Sequence, residues 1–184
     1  MSQINTPYGP IDKNLFAQLQ QIELLVCDVD GVFSDGRIYM GQDGEELKAF
    51  HTRDGYGVKA LQAIGVQVAV ITGRQSNMVE KRMQSLGVQH IYQGCEEKYP
   101  AIIAIQAKIS VNESQTAAIG DDMPDLGMFK ATQCNVCVQD GHPMVASQAH
   151  YITRTKGGFG AVRELCDLIL LAKGKLNVIH GASI

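Results

Sequence analysis

The sequence has no apolar run long enough to cross a bilayer. The longest, "LCDLILLA" at 165–172, is interrupted by Asp167 and falls far short of the roughly 20 residues a spanning helix needs. The start, "MSQINTPYGP", lacks the basic opening and apolar core of a secretion signal. A cytoplasmic protein with no membrane partner is therefore expected. Positive charge is not in excess either. The formal net charge is -3 and no basic stripe stands out, which removes the usual electrostatic basis for general nucleic-acid binding. Repeats, low-complexity tracts and long linkers are also missing. Cysteine is sparse and odd in number, with five residues at 27, 95, 134, 137 and 166. Only Cys134 and Cys137 form a Cys-x-x-Cys, within "CNVCV", which reads as a short strand. Strand positions three apart point to opposite faces, so the pair suits neither a zinc site nor a redox centre. Buried apolar packing is expected for most of these thiols.

What is present describes one globular domain. The 184 residues are 45% hydrophobic and 19% charged, enough for a full core and too few for two comfortable domains. One domain over 1–184 is expected, with its core at about 20–172. Short runs rich in β-branched residues recur at 22–28, 66–72, 88–92, 116–120, 134–138 and 150–153, each bounded by Gly, Asp or Asn. Between them lie amphipathic stretches at 57–65, 76–87, 96–109 and 159–174, three of which end at a glycine. Alternation of apolar strands with helices predicts an α/β fold, a doubly wound, Rossmann-like parallel sheet covered on both faces. Residues 37–51 break the rhythm: two short extended runs flank a Gly-Gln-Asp-Gly turn, predicting a β-hairpin. On local evidence a plain surface hairpin and a functional flap fit equally well. The first 20 or so residues carry no recognisable motif, and His142 and His180 read as loop residues.

Ligands of an open parallel sheet bind beyond the carboxyl ends of its strands, and four motifs fall there. Asp28 and Asp30 end the first strand, Thr72 in "VITGR" ends the second, Lys98 opens a helix after "IYQGCEEK", and "AIGDDMPD" puts Asp121, Asp122 and Asp125 after a later strand. Asp28 and Asp30 are two apart in an extended segment and lean to one side. Their mutual repulsion, worsened by Asp121 and Asp122, calls for a hard cation such as Mg²⁺, which prefers oxygen ligands and shares its shell with phosphate. A carboxylate nucleophile, a metal, a hydroxyl and an ammonium make a phosphoryl-transfer site. Taken singly, each acid also fits a turn former or helix cap, and Lys98 a solvated helix residue. A calcium loop is excluded because Val32 and Phe33 stand where its third ligand and glycine belong. The glycine-rich "KGGFG" at 156–160 lacks the Walker pattern and reads better as a mobile loop near the site.

In that order, "DVDG", "ITGR", Lys98 and "GDDMPD" resemble the four motifs of the haloacid dehalogenase superfamily of phosphatases, over roughly residues 22–130. More narrowly, "DVDGVFSDG", "FHTRDGYGVK" and "TKGGFGAVRELCDLIL" resemble the phosphatases of 3-deoxy-D-manno-octulosonate 8-phosphate, which serve lipopolysaccharide precursor synthesis. Ser34 replaces the Thr expected in the first motif. The resemblance implies that Asp28 attacks phosphorus to form an aspartyl-phosphate while Asp30 acts as acid and then base. It implies that Mg²⁺ is held by Asp28, Asp121 and the Asp30 backbone carbonyl, with Asp122 and Asp125 behind them and Thr72 and Lys98 cradling the phosphoryl group. About 40 residues separate the first two motifs, too few for a cap domain, so the hairpin and a neighbouring subunit are expected to close the site. The resembled family forms homotetramers of this kind. Its substrate is a phosphorylated sugar acid, for which Arg53 and Arg74 are candidate carboxylate ligands, His51 being a weaker one. Arg74 fits equally a helix-start residue paired to an acid, and Arg53 a bridge to Asp54. A nine-carbon sugar acid 9-phosphate is the alternative substrate. A receiver domain is rejected because its acid pair and acceptor Asp occupy other strands, and a dead binding module because every catalytic residue type is present.

Overall fold

The computed structural model describes residues 2–178; His180 lies outside them. The elements run in order β1 (Gln3–Thr6), β2 (Gly9–Asp12), α1 (Lys13–Gln21), β3 (Leu24–Cys27), β4 (Tyr39–Met40), β5 (Glu46–Leu47), α2 (Thr52–Ala63), β6 (Gln67–Ile71), α3 (Asn77–Ser85), β7 (His90–Tyr92) and α4 (Lys98–Ile109). They continue with β8 (Thr116–Gly120), α5 (Leu126–Phe129), β9 (Cys134–Cys137), α6 (Pro143–Ala146), β10 (Tyr151–Ile152) and α7 (Ala161–Ala172). Six strands form one parallel sheet in the order β10-β9-β8-β3-β6-β7. The order reverses direction on either side of β3, the crevice position where doubly wound sheets bind ligands.

The period-two alternation of the strands sorts the core into two layers. Leu25, Cys27, Val68, Val70 and Ile119 point to the side covered by α1, α2, α3 and α7, whereas Leu24, Val26, Ala69 and Ile71 point to the side covered by α4, α5 and α6. All four residues of β3 are buried, as a strand covered on both faces must be. Cys134 packs into the first layer and Cys137 into the second, and all five thiols are free. The opposite-face reading of the Cys-x-x-Cys is therefore what the sheet enforces. No helix among the described residues is long and apolar enough to cross a membrane.

Two regions go beyond the sequence reading. Residues 3–21, without a motif, fold as a small hairpin and a helix. Leu15 and Leu19 of α1 are buried in the first core layer, and the Tyr8 hydroxyl donates to Asp167 Oδ2 of α7 at 2.7 Å. The helix expected at 57–65 begins five residues earlier, at Thr52. His51 caps it, its Nδ1 accepting the Arg53 N–H at 3.1 Å, a cap that histidine's low standing as a cap residue conceals.

Candidate active site

Hydrogen bonding shapes the end of β3 into a tight turn. The Val29 carbonyl accepts N–H groups from Val32, Phe33 and Ser34 at 3.2, 2.9 and 3.0 Å. Gly31, with φ +96°, occupies left-handed backbone where a Cβ would overlap the Asp121 carboxylate, so glycine lets the first and fourth motifs close on each other. Asp35, unassigned from sequence, accepts the Arg37 N–H at 3.1 Å and helps turn the chain toward the hairpin, the usual work of an Asp side chain in a turn.

Asp28 is buried at the end of the central strand, and Lys98 Nζ donates to its Oδ1 and, at 2.6 Å, to Asp125 Oδ1. A lysine in the first turn of α4 opposes the helix dipole, yet the two carboxylates hold it there. Asp125 Oδ2 meanwhile accepts the N–H groups of Asp121 and Asp122 at 2.8 and 3.1 Å, and Asp122 Oδ1 accepts from Met123 at 2.8 Å. Asp125 is thus both the cap and the anchor for Lys98. Asp28, Thr72 and Lys98 line a cavity of about 450 Å³ with Asp121, Asp122 and Asp125. Asp30 and Arg74 also line it. Arg53 does not reach it: its Nη2 donates to the Phe159 carbonyl at 3.2 Å, beside the His51 ring. Asp54 pairs with the Arg163 N–H at 2.8 Å instead. Arg74 lines the cavity, and its Nη2 donates to Glu46 Oε1 at 2.8 Å from the loop that precedes α3.

Charge in this cluster does not balance. Burial, then the charges of Asp28, Asp125 and Asp122, pushes the Asp121 carboxyl up to about 8, against the pull of Lys98. Burial and Asp125 push Asp28 up to about 7 even though Lys98 touches it. Lys98 is itself raised: burial disfavours its charge, but Asp28 and Asp125 more than offset that. Carboxylate oxygens of Asp28, Asp121 and Asp125 approach within 4.8 Å of one another, and three carboxylates against one ammonium leave two negative charges. Since Asp125 has both oxygens engaged, Asp28 and Asp121 are the acids with donor capacity for a cation. A small divalent ion with a taste for oxygen fits that set.

The hairpin of β4 and β5 is tied to the residues of the cavity wall rather than standing free. Lys48, just after β5, donates to Asp30 Oδ1, and Glu46 holds Arg74. Lys48 escaped the sequence reading because nothing in "GEELKAF" shows that its partner lies 18 residues earlier; only the period-two spacing of Glu46 and Lys48 hinted at a shared face. The "KGGFG" segment, expected as a mobile loop, instead packs hard against the motif I turn. The Gly158 N–H donates to the Val32 carbonyl at 2.9 Å and the Gly157 N–H to Asp140 Oδ1 at 3.0 Å. A Cβ at Gly157 would overlap the Gly31 carbonyl, so its glycines serve close approach, not motion.

Comparison with known proteins agrees with this geometry. A family model for haloacid dehalogenase-like hydrolases matches residues 90–165. The 3-deoxy-D-manno-octulosonate 8-phosphate phosphatase KdsC of Yersinia pestis is 49% identical over 181 residues, covering 98% of this chain and 97% of the relative. The crystal structure of that phosphatase from Yersinia pestis superposes with a TM-score of 0.94 at 48% identity, covering 95% of each chain. The phosphatase of Moraxella catarrhalis, solved with magnesium, phosphate and a KDO molecule, superposes with a TM-score of 0.87 at 40% identity, covering 89% of this chain and 94% of that one. Motif order, sheet topology and nearly full-length identity converge: the chain belongs to the haloacid dehalogenase-like hydrolases, within the family of 3-deoxy-D-manno-octulosonate 8-phosphate phosphatases.

Proposed function

We propose that this chain is a magnesium-dependent phosphomonoester hydrolase acting on 3-deoxy-D-manno-octulosonate 8-phosphate, which it converts to the free sugar acid and phosphate for lipopolysaccharide precursor synthesis. The observation that carries this reading is the buried Asp28–Lys98–Asp125 chain opening on a cavity beside Thr72 and Asp121. Identity of 49% over nearly the whole length to a phosphatase of that sugar phosphate supports the substrate.

Lys98 engages Asp28 Oδ1, leaving Oδ2 to attack phosphorus and form an aspartyl-phosphate. Asp30 gives a proton to the departing sugar oxygen and then takes one from the hydrolytic water. The Thr72 hydroxyl and the Lys98 ammonium hold the phosphoryl oxygens, and Asp125 keeps Lys98 aimed at them. Mg²⁺, held by Asp28, Asp121 and the Asp30 backbone carbonyl with Asp122 nearby, supplies neutralisation of the phosphoryl charge. Arg74 meets the substrate carboxylate at the cavity wall; Arg53 does so only across an interface between copies.

The same reading makes 1–184 a single cytoplasmic domain without a separate cap, assembled as a homotetramer whose neighbouring subunits complete each site. Its support is the hairpin, which leaves Met40 72% and Leu47 63% exposed, an apolar edge that association would cover. Phosphate release across a panel of sugar phosphates with Mg²⁺ tests the assignment. The octulosonate 8-phosphate is expected to be turned over fastest, and Asp28→Asn to abolish turnover. A flat substrate profile overturns the substrate, and full activity in Asp28→Asn overturns the covalent mechanism.

A further inference from the structure

Glu46 and Lys48 stand two apart in an extended segment, so both project from the same side of the flap. That side faces the cavity: Glu46 binds Arg74 and Lys48 binds Asp30. The Lys48 side chain is 1% exposed. An ammonium is driven this deep only if its partner offsets the lost hydration, and the partner is a single carboxylate oxygen. Asp30 Oδ1 receives Lys48 and lies 3.5 Å from the Ser34 hydroxyl. Asp30 Oδ2 is buried with no hydrogen-bond partner among the described residues.

We propose that Lys48 is a positioning residue for Asp30: its ion pair to Oδ1 is the main contact that fixes the carboxyl at the cavity wall, since Oδ2 has no partner among the described residues. The inference rests on the reading of Asp30 as the acid. In the first step the bond from Asp28 oxygen to phosphorus forms and the bond from phosphorus to the sugar oxygen breaks. The Asp30 carboxyl proton passes to that departing oxygen. Because Lys48 belongs to the flap, the acid is held in register only while the flap lies over the site.

Leaving-group chemistry separates this role from a structural one. An alkoxide needs a proton as it departs, whereas 4-nitrophenolate leaves without one. The Mg²⁺-loaded protein is assayed for kcat/KM, which covers steps only through formation of the aspartyl-phosphate, with the octulosonate 8-phosphate and with 4-nitrophenyl phosphate. Lys48→Met is expected to lower the first by about 10²-fold, within the range of a positioned acid, and the second by less than about threefold. Lys48→Arg, which keeps a donor, is expected to recover most of the loss. Equal losses on both substrates in Lys48→Met, or no recovery in Lys48→Arg, overturn the proposal. If Lys48→Met fails to fold, Lys48→Gln carries the same comparison. Asp30→Asn is run alongside. Equal losses there remove Asp30 as the acid, whereas a selective loss there and none in Lys48→Met removes only the role given to Lys48.

Discussion

Magnesium binding should become strongly pH-dependent for a reason visible in the acidic cluster. In the folded protein Asp28 and Asp121 hold their protons up to about 7 and 8, against 3.8 for an ordinary aspartate. Between roughly pH 4 and 8 the folded state therefore binds more protons than the unfolded chain. The contribution of these two carboxyls to the stability of the metal-free protein is fully present below that window and is lost as the pH rises through it to 7 and 8. A divalent cation competes with those protons. Displacing one of them lowers affinity about tenfold for each pH unit below the carboxyl's titration range. With Mg²⁺ at about 100 times its dissociation constant at pH 8, stabilisation is about 2.7 kcal/mol. In a domain of this size that corresponds to a rise in Tm of about 5–11 °C. At pH 6 and the same concentration the affinity is about 100-fold weaker, leaving about 0.4 kcal/mol and a rise of about 1–2 °C. Thermal melts at both pH values, with and without Mg²⁺, measure the difference. Equal shifts at pH 6 and 8, or a full shift in Asp121→Asn, would refute the assignment of Asp28 and Asp121 as the competing acids.

Other perturbations follow from particular contacts. Lys98→Met leaves two buried carboxylates without their shared cation, and removing one partner of a buried pair costs about 3–5 kcal/mol; urea titration at pH 8 should show it, and phosphate release should vanish. Gly157→Ala places a methyl group on the Gly31 carbonyl and should cost about 1–3 kcal/mol through overpacking, with turnover falling because the turn carrying Asp30 must move; an unchanged Tm and rate would contradict the close packing. Replacing Met40 and Leu47 together by Glu puts charge on the exposed apolar edge of the flap. Sedimentation should then show smaller species and the rate should fall, whereas an unaltered assembly would exclude the hairpin from the interface.

Much of the site was legible before any coordinates, because its chemistry is written in short contiguous motifs. A strand of four buried residues can end in only one direction, so Asp28, Thr72 and Asp121 had to gather at the carboxyl edge of the sheet. Arg53 shows where that logic thins. Its proximity to a motif in sequence did not bring it to the cavity, because His51 starts a helix there and the side chain is turned to the Phe159 carbonyl. Residues 3–21 were opaque for another reason: their helix is short and gains its stability from packing on α7 rather than from its own propensity.

The sequence by itself determined the layers of the sheet, the edge where ligands bind and the acids that gather there, since strand periodicity and motif order act over a few residues. Tertiary structure alone decided what those acids touch. Lys98 lies 70 residues from Asp28, Lys48 lies 18 from Asp30, and Glu46 lies 28 from Arg74. Ion pairs of that kind depend on how separate elements close in space, and burial, which sets their strength and the proton affinity of Asp28 and Asp121, exists only once the core has formed.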